Sequence, residues 1–283
     1  MIRKSIFLIF IIFFAFGGIF FYQSAKFNDG KLHLVFCDVG QGDAIFIRTS
    51  TGSNILIDGG PDDSVLNCLS GHMPFWDRSV EAVFLTHPHA DHITGLLTVL
   101  KRYKVMHFLT ENVQDHSDLG KLEKAILADK KLSATFFSKG NRLKTRDNVE
   151  FLTLWPKDSA SSITNGDLDA NGFSLIQLVK YGKFKLLLNG DAGIAAQDQI
   201  VSEAGQITVL KVAHHGSKTG LDAQIIRELN PKLAVISVGM KNRYGLPASQ
   251  TLGLLKQFGV KTMRTDQVGE VEIVTDGKGW SVK

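Results

Sequence analysis

Short apolar runs alternate with amphipathic stretches along most of the chain, and this alternation predicts its secondary structure. Runs rich in β-branched and aromatic residues predict ten strands, at 32–37, 43–49, 54–60, 82–87, 149–155, 174–181, 183–191, 207–215, 233–239 and 269–275. Helical spacing of apolar residues predicts helices near 63–70, 93–103, 119–129, 193–204, 222–229 and 249–258. Turn-forming glycines predict hairpins at 49–54 and 180–185. This pattern favours a layered α/β domain over a helical bundle or a pure β-sandwich.

The N-terminal region departs from this alternation. Arg3 and Lys4 precede an uncharged apolar run from Ile6 to Tyr22, whose length is at the short limit for a membrane-spanning helix. The small-residue pattern of a signal-peptidase site is weak after Tyr22, so we interpret the run as an uncleaved signal anchor in preference to a cleaved signal peptide. The positive-inside rule places Arg3 and Lys4 in the cytoplasm and the rest of the chain outside it.

The chain is therefore expected to be anchored in the membrane, or secreted if the N-terminal segment is cleaved. We expect an anchor or signal peptide, a short linker and one folded domain, at 1–25, 26–31 and 32–283.

Composition limits the remaining classes only mildly. Of the 283 residues, 44% are hydrophobic and 21% are charged, which is ordinary for a globular domain. The net charge of +4 suits an anionic substrate but is too small for a nucleic-acid-binding signature. A disulfide between Cys37 and Cys68 is permitted outside the cytoplasm, but Cys37 lies in an apolar run, so we predict free buried thiols. The polar segment Lys157–Gly172 lacks periodicity and is long enough for an active-site loop.

The segment "HPHADH" (87–92) is the densest group of chemically reactive side chains in the chain. It lies where a predicted strand ends and a predicted helix begins. His87 and His89 can supply two nitrogens to one ion from an extended backbone, and Asp91 and His92 can face a second ion from the first helical turn. Imidazole and carboxylate ligands suit zinc first and manganese second. A chance cluster in a solvated loop is the alternative, which so dense a group disfavours.

Two later segments offer further ligands, and both again follow a predicted strand. Asp191, in "LLLNGDAG", is placed where its carboxylate can bridge two cations. His214 and His215 follow the next strand, and we take His214 as the preferred ligand and His215 as the second choice. Alone, such residues are more often turn formers or core residues; here each repeats the order strand, ligand, glycine.

Six segments, in order, resemble the metallo-β-lactamase fold, and within it the extracytoplasmic hydrolase domain of ComEC-type competence proteins. They are "DVGQGDAIFI", "LIDGG", "FLTHPHADHITGL", "LLLNGDA", "LKVAHHGS" and "NRYG". The resemblance covers roughly residues 32–276. It implies a four-layer αββα sandwich, preceded here by one N-terminal hydrophobic helix, with a metal cleft at the sheet edges.

The resemblance also implies roles for individual residues. One metal would be bound by His87, His89 and Asp191, and the other by Asp91, His92, Asp191 and a histidine of the His214–His215 pair. Catalytic roles fall to Asp91, His215 and Asp58. Asp58 would orient a ligand histidine, although a plain turn aspartate before Gly59 fits the sequence equally well. Asp43 matches the opening motif, and it is left open whether it lies near the site. Four residues would line the substrate pocket: Ser217, Asn242, Arg243 and Tyr244.

Two departures from the family pattern matter. The stretch before the bridging aspartate offers Asn171 where many members carry another metal-binding histidine. The family motif "NRYGHP" reads "NRYGLP" here, so Leu246 replaces a histidine that would contact phosphate or protonate a leaving group. The expected ligand set is intact, so we predict a slower or differently selective enzyme, not an inactive one.

The resemblance favours a phosphodiesterase or nuclease that attacks extracellular DNA with a hydroxide bridging two metal ions. Two alternatives stay open: a surface phosphodiesterase for smaller substrates such as choline-phosphate groups, and a membrane-tethered metal-binding module with little turnover. One hydrophobic segment cannot form a DNA channel, so a role in uptake needs a separate membrane channel protein.

Overall fold

The computed structural model describes residues 2–113, 115–157 and 170–283, in which fifteen strands form two sheets. The strands are β1 (Leu32–Phe36), β2 (Ile45–Arg48), β3 (Asn54–Ile57), β4 (Ser79–Leu85), β5 (Lys104–Thr110), β6 (Ala134–Phe136), β7 (Arg142–Lys144), β8 (Glu150–Trp155), β9 (Ile176–Tyr181), β10 (Phe184–Leu188), β11 (Val209–Lys211), β12 (Leu233–Ile236), β13 (Lys261–Arg264), β14 (Val271–Thr275) and β15 (Trp280–Val282).

Each sheet combines hairpin-linked antiparallel strands with a block of parallel strands. The first sheet has the order β15-β14-β1-β2-β3-β4-β5-β6, and β3 to β6 are parallel. The second has the order β13-β12-β11-β10-β9-β8-β7, and β10 to β13 are parallel. Both predicted hairpins are confirmed, since β2 pairs antiparallel with β3 and β9 pairs antiparallel with β10.

Helices cover the outer faces of both sheets. The α-helices are α1 (Ile2–Phe27), α2 (Val65–His72), α3 (Ala90–Arg102), α4 (Asp118–Asp129), α5 (Ile194–Asp198), α6 (Val201–Ala204), α7 (Ala223–Leu229), α8 (Ser249–Gln257) and α9 (Thr265–Val268). Buried apolar side chains of α2, α3 and α4 pack against the first sheet, and those of α5 to α8 pack against the second.

A third apolar layer joins the two sheets face to face. Phe84 of β4 and Phe151 of β8 stack across it with ring centroids 5.7 Å apart, and both rings are fully buried. Burial of rings this large contributes about 1.5–3 kcal/mol each. The predicted four-layer αββα sandwich is therefore confirmed.

The strand directions give the sandwich two distinct edges. The carboxyl edge is the side of the sandwich at which β3, β4, β10 and β11 end. The amino edge is the opposite side, at which these strands begin. Loops that follow parallel strands gather at the carboxyl edge, which is where ligands bind in sheets of this kind. The turns at Gly182 and Gly277 meet at the amino edge, because Lys183 N–H donates to Gly277 O at 2.6 Å.

The predicted N-terminal hydrophobic helix is also confirmed, and it joins the domain at the amino edge. Residues Ile9–Phe27 of α1 are long and apolar enough to cross a membrane, and none of this stretch is buried in the protein. The helix continues to Phe27, two residues beyond the predicted end of the anchor at residue 25. Arg48 fixes this end because its Nε donates to Phe27 O at 3.0 Å.

The two cysteines form a disulfide, so the prediction of free thiols is wrong. Cys37 directly follows β1, and Cys68 lies in α2, which packs over the same end of the first sheet. Their Cα atoms are 5.8 Å apart, within the range that a disulfide spans. The apolar surroundings of Cys37 were read correctly; the return of α2 over β1 is a tertiary feature that local sequence does not show.

Other differences from the predicted elements have local causes. The pattern missed β5, β6, β7, β13 and β15, most of which are short and carry exposed polar residues. The single helix predicted at 193–204 is two short helices, α5 and α6. Of the predicted active-site loop Lys157–Gly172, residues 158–169 lie outside the described part of the chain.

Candidate metal centre

The H-x-H-x-D-H segment joins the end of β4 to the start of α3 at the carboxyl edge. His87 lies just beyond the last strand residue, and His89 is the residue that precedes α3. Asp91 and His92 occupy the first helical turn, where the helix dipole favours the Asp91 carboxylate. His87 and His92 are fully buried, whereas His89 and Asp91 are partly exposed.

Two glycines let α3 approach the loop that follows β3. A side chain at Gly59 would collide with the backbone of Leu96, and one at Gly95 would collide with the Gly59 carbonyl. Gly59 N–H donates to His92 O at 2.7 Å, which couples the loop to the first turn of α3. The close approach brings the side chains of Asp58 and His92 into contact.

Asp58 orients His92. Its Oδ2 lies 2.8 Å from His92 Nδ1 and accepts from Thr86 Oγ1 at 2.7 Å, while its Oδ1 accepts from Thr86 N–H at 2.8 Å. A proton on Nδ1 leaves the lone pair of Nε2 facing the cluster, as in carboxylate–histidine pairs at metal sites. Asp58 also has a φ of 57°, so the turn role and the contact to His92 coexist in one residue.

Asp191 lies at the centre of the cluster, between histidines from the segments 87–92 and 214–215. It follows β10, and Ser174 Oγ accepts from its backbone N–H at 3.0 Å. One carboxylate oxygen, Oδ1, is 3.5 Å from His92 Nε2. The other, Oδ2, is 3.9 Å from His87 Nε2, 3.7 Å from His215 Nε2 and 3.9 Å from His214 Nε2.

His214 and His215 differ sharply in their surroundings. His215 is buried; its Nδ1 donates to Ser237 O at 3.0 Å, and its Nε2 lies 3.2 Å from Asp91 Oδ2. The His214 side chain is 36% exposed and borders solvent. Both residues have positive φ, at 51° and 52°, an uncommon conformation for non-glycine residues that is often found at functional sites. The structure therefore brings both to Asp191, but only His215 also lies against Asp91.

Asp43 and Lys211 form a buried ion pair beneath His215. Lys211 Nζ lies 2.7 Å from Asp43 Oδ2 and donates to Val212 O at 3.0 Å, and both side chains are almost fully buried. Asp43 Oδ1 lies 3.4 Å from His215 Nδ1. The question left open for Asp43 is thereby answered, since it adjoins the site. Lys211 belongs to the segment "LKVAHHGS", but sequence analysis gave it no role because the sequence does not show that its partner is Asp43.

The cluster is rich in negative charge. Four carboxylates, those of Asp43, Asp58, Asp91 and Asp191, contact its histidines, and Lys211, paired with Asp43, is the one lysine among the described residues that forms an ion pair with them.

The histidines respond to that charge. Burial lowers the pKa of His92, but the carboxylates of Asp191 and Asp58 outweigh it and raise the pKa well above the ordinary value. For the same reason the pKa of His215 rises to about 9 despite burial. Burial opposes ionisation of Asp191, yet His215 and His92 hold its pKa well below the usual range.

Two buried polar atoms at the centre lack a hydrogen bond. His92 Nε2 and Asp191 Oδ1 are both buried, and neither makes one with another described residue. Buried polar atoms without partners are rare and call for a ligand or ion. Two ligands about 2.1 Å from a tetrahedral cation lie roughly 3.4 Å apart, close to the 3.5 Å between these atoms. The donor set of imidazoles and carboxylates therefore fits divalent cations.

The residues expected to line the substrate pocket are engaged in other ways. The side chain of Asn242 closes its own loop, donating to Gly239 O and Leu246 O at 3.0 and 2.7 Å. Arg243 and Tyr244 are exposed and paired, with Nη2 donating to the tyrosine hydroxyl at 2.9 Å.

Ser217 and Leu246 complete the comparison with the expected pocket. Ser217 Oγ is 2.9 Å from Thr219 Oγ1, just after the two histidines. Leu246 is partly buried against the apolar layer of the second sheet.

A cavity of about 500 Å³ opens beside Asp191 and His214. Trp155, Lys157 and Thr219 also line it. Sequence analysis did not single out Trp155 or Thr219, because neither belongs to a motif; Trp155 ends β8 and Thr219 lies in the loop between β11 and α7.

Comparison with known proteins agrees with this geometry. Residues 37–125 match the metallo-beta-lactamase superfamily. The chain is 28% identical over 268 residues to ComE operon protein 3 of Bacillus subtilis, covering 87% of this chain and 33% of that protein. It is 24% identical over 268 residues to competence protein ComA of Neisseria gonorrhoeae, covering 90% and 34%.

A solved structure shares the fold. The metallo-beta-lactamase fold protein YhfI of Bacillus subtilis superposes with a TM-score of 0.54 at 14% identity, covering 82% of this chain and 95% of that one. The chain spans about a third of the length of the two curated relatives. The chain thus has the metallo-β-lactamase fold, its residues 37–125 match that superfamily, and it resembles competence proteins of the ComEC type.

Proposed function

We propose that the chain is a membrane-anchored, metal-dependent phosphodiesterase that hydrolyses DNA outside the cytoplasm. The observation that carries the metal-dependent part is the position of Asp191, whose two carboxylate oxygens face histidines from two distant segments, 87–92 and 214–215. The resemblance to competence proteins supports DNA as the substrate.

The proposal keeps the predicted ligands, except that His215 replaces His214 as the preferred one of the pair. One cation would be held by His87, His89 and Asp191, and a second by Asp91, His92, Asp191 and His215. We prefer His215 to His214 as the ligand because its Nδ1 is fixed by Ser237 O and its Nε2 points at Asp91. His214, at the border of the cavity, is free to contact the substrate.

The chemistry divides between the cations and the surrounding side chains. Bound divalent cations would supply positive charge for a phosphoryl group and acidify water near neutral pH. Asp58 keeps His92 in the Nδ1–H form, and Asp43 together with Ser237 O does the same for His215. Lys211 neutralises Asp43, so that this carboxylate stays ionised within the core.

The exposed loop 239–248 follows β12 at the carboxyl edge and is the proposed substrate-contacting surface. Ala248 N–H donates to Gly216 O at 2.9 Å, which ties the loop to the two histidines. Arg243, with its guanidinium beside Tyr244, is positioned to bind a phosphate through two N–H groups. Lys157 adds a second basic group at the cavity.

Membrane attachment is assigned to α1, with Arg3 and Lys4 on the cytoplasmic side. One spanning helix does not make a channel, so delivery of a DNA strand would require a separate membrane channel protein.

The test uses the full chain in lipid nanodiscs under oxidising conditions, loaded with zinc or with manganese. We expect hydrolysis of bis-(p-nitrophenyl) phosphate and of labelled linear DNA, together with two bound metal ions per chain. His87→Ala and His215→Ala should lose both metal and turnover. His107→Ala, on the exposed face of β5, is the matched control and should keep both.

Three outcomes would redirect the proposal. Release of choline phosphate without DNA cleavage would indicate the smaller-substrate phosphodiesterase. Bound metal without turnover on any phosphodiester would indicate a binding module, in line with the change to Leu246. If His214→Ala lost metal and turnover as His87→Ala does, and His215→Ala kept both, His214 and not His215 would be the ligand.

A further inference from the structure

The loop at 73–78, between α2 and β4, exposes two large aromatic side chains. Phe75 is 55% exposed and Trp76 is 38% exposed, and their rings meet edge to face with centroids 4.9 Å apart. Neighbouring aromatic side chains that are exposed at a loop tip usually indicate a surface that contacts another molecule or a membrane.

This loop lies directly against the hydrophobic helix. Trp76 stacks on Phe20 of α1, with ring centroids 4.5 Å apart and planes 25° from parallel. Arg48 holds the helix end to the domain, with its Nε on Phe27 O and its Nη2 on Asn28 Oδ1. The loop, the helix end and the amino edge therefore form one continuous surface.

The position of Phe20 sets the depth of the loop. Phe20 comes two residues before Tyr22, where the apolar run ends, which is roughly 3 Å along a helix axis. If α1 crosses a bilayer, a ring stacked on Phe20 cannot stay in bulk water. Trp76 would lie at the boundary between headgroups and acyl chains, where tryptophan and tyrosine are enriched.

Basic side chains flank the aromatic loop. The N–H of Lys104 donates to Arg78 O at 2.8 Å, which places the start of β5 beside the loop. Lys101, Arg102 and Lys130 border a cavity of about 360 Å³ together with Lys104, and these side chains are exposed. Asp77, the acidic residue of the loop, is engaged by Arg48 and Asn54. The surface presented outward is therefore aromatic and cationic.

We propose that loop 73–78 and this basic group form a second membrane-contacting surface that binds the headgroup region of an anionic bilayer beside α1. The proposal rests on the membrane attachment of α1 proposed above. Because the loop belongs to the amino edge, the metal centre at the carboxyl edge would face away from the lipid. The two edges are separated by strands of four to seven residues, which span roughly 13–23 Å.

The three tryptophans of the chain provide the test. The full chain is reconstituted in liposomes whose acyl chains carry bromine, a short-range quencher. One variant retains Trp76 alone (Trp155→Phe, Trp280→Phe) and the matched variant retains Trp155 alone (Trp76→Phe, Trp280→Phe). Trp155 ends β8 at the carboxyl edge and borders the cavity of the metal centre.

We expect brominated lipid to reduce Trp76 fluorescence at least two-fold and to leave Trp155 unchanged. Acrylamide, a water-soluble quencher, should show the reverse order, and it serves as a second reading if a substitution perturbs the fold. Equal quenching of the two tryptophans by brominated lipid in liposome-bound chains would overturn the proposal.

Lipid charge tests the basic group separately. Trp76 quenching should fall when phosphatidylglycerol is omitted, and also when Lys101→Gln and Lys104→Gln are combined. The matched pair Lys218→Gln and Lys241→Gln, in loops of the carboxyl edge, should leave the quenching of Trp76 unchanged. Quenching that is indifferent to lipid charge would remove the basic group from the proposed surface.

Flotation with alkaline carbonate extraction distinguishes this failure from a failure of the anchor. Chains that do not stay with the liposomes refute the proposed attachment of α1. Chains that stay, with Trp76 open to water, refute only the contact of the loop with lipid.

Discussion

The two edges of the sandwich each contain a buried network of charged and polar side chains, and the two networks differ in how fully they are satisfied. At the amino edge, Arg48 is 5% exposed and donates to Phe27 O, Gly52 O and Asn54 Oδ1. At the carboxyl edge, His92 Nε2 and Asp191 Oδ1 face each other at 3.5 Å without a hydrogen bond.

The difference separates a structural network from a binding site. A buried charge whose donors are all met by the chain stabilises one conformation and offers nothing to a ligand. A buried group left without a partner costs about 1–3 kcal/mol in desolvation, a cost that a bound cation can offset. Substitutions at the carboxyl edge should therefore act on metal binding and turnover, and those at the amino edge on stability.

Asp191→Asn should give the largest effect. The substitution preserves shape but removes the carboxylate that faces histidines of both segments, 87–92 and 214–215, so we expect loss of metal and a fall in turnover of about 1000-fold. Loss of an outer partner of a metal ligand already costs 10–100-fold. The loss of metal is measured by mass spectrometry, and the fall in turnover by hydrolysis of bis-(p-nitrophenyl) phosphate. Unchanged metal content would contradict the central position given to Asp191.

Arg48→Ala should produce the complementary result. It leaves Asn54 and Asp77 without their cationic partner and releases the end of α1, at a cost of about 2–4 kcal/mol in the free energy of unfolding. Urea denaturation measures the loss. Metal content and turnover per folded chain should match the parent, and a selective loss of metal would erase the distinction between the edges.

Removal of the disulfide should combine the two kinds of effect, because it should lower both stability and metal affinity. Cys37 begins the loop 37–44 that carries Asp43, and the bond to Cys68 closes a separation of 31 residues. Cys37→Ser with Cys68→Ser should lower the free energy of unfolding by about 2–4 kcal/mol. Because the loop belongs to the carboxyl edge, metal affinity should fall too, measured by competition with a chelator. Equal affinity with and without the bond would show that the loop is held by other contacts.

Much of the architecture could be predicted because local patterns determine it. The ten predicted strands, the two hairpins and the helix after "HPHADH" all follow from apolar periodicity and turn residues, and the order of motifs indicated the fold. The strands that were missed, such as β7 and β13, have few buried side chains, so their sequence carries little of the strand signal.

The site was only partly predictable, for a different reason. Motifs identify ligand types such as Asp191 and His87, but they do not show which nitrogen faces inward. The preference for His215 over His214 depends on a contact to Ser237 O, and the role of Asp43 depends on Lys211 from another strand. Both are contacts between distant segments that only the folded chain brings together.

Glu111 offers the finest test of the comparison, because it is a third kind of buried charge at the carboxyl edge. It follows β5, is 2% exposed, and accepts from Thr110 Oγ1 at 2.6 Å. Burial raises its pKa to about 8, helped by nearby Glu123. The folded chain therefore keeps the Glu111 proton at pH values above the ordinary pKa of 4.5. The stability that this protonated carboxyl contributes is fully present below pH 4.5 and is lost as the pH rises through about 8.

Glu111→Gln should remove that pH dependence. Relative to the parent, the variant should gain at most about 5 kcal/mol in the free energy of unfolding at about pH 8.5 and nothing at about pH 4.5, since each pH unit between the ordinary pKa of 4.5 and the raised pKa of about 8 corresponds to about 1.4 kcal/mol. Glu228→Gln, on the exposed face of α7, is the control and should follow the parent at both values. A variant less stable than the parent at high pH would mean that the ionised carboxylate of Glu111 has a partner. Glu111 would then belong with Arg48 among the satisfied charges.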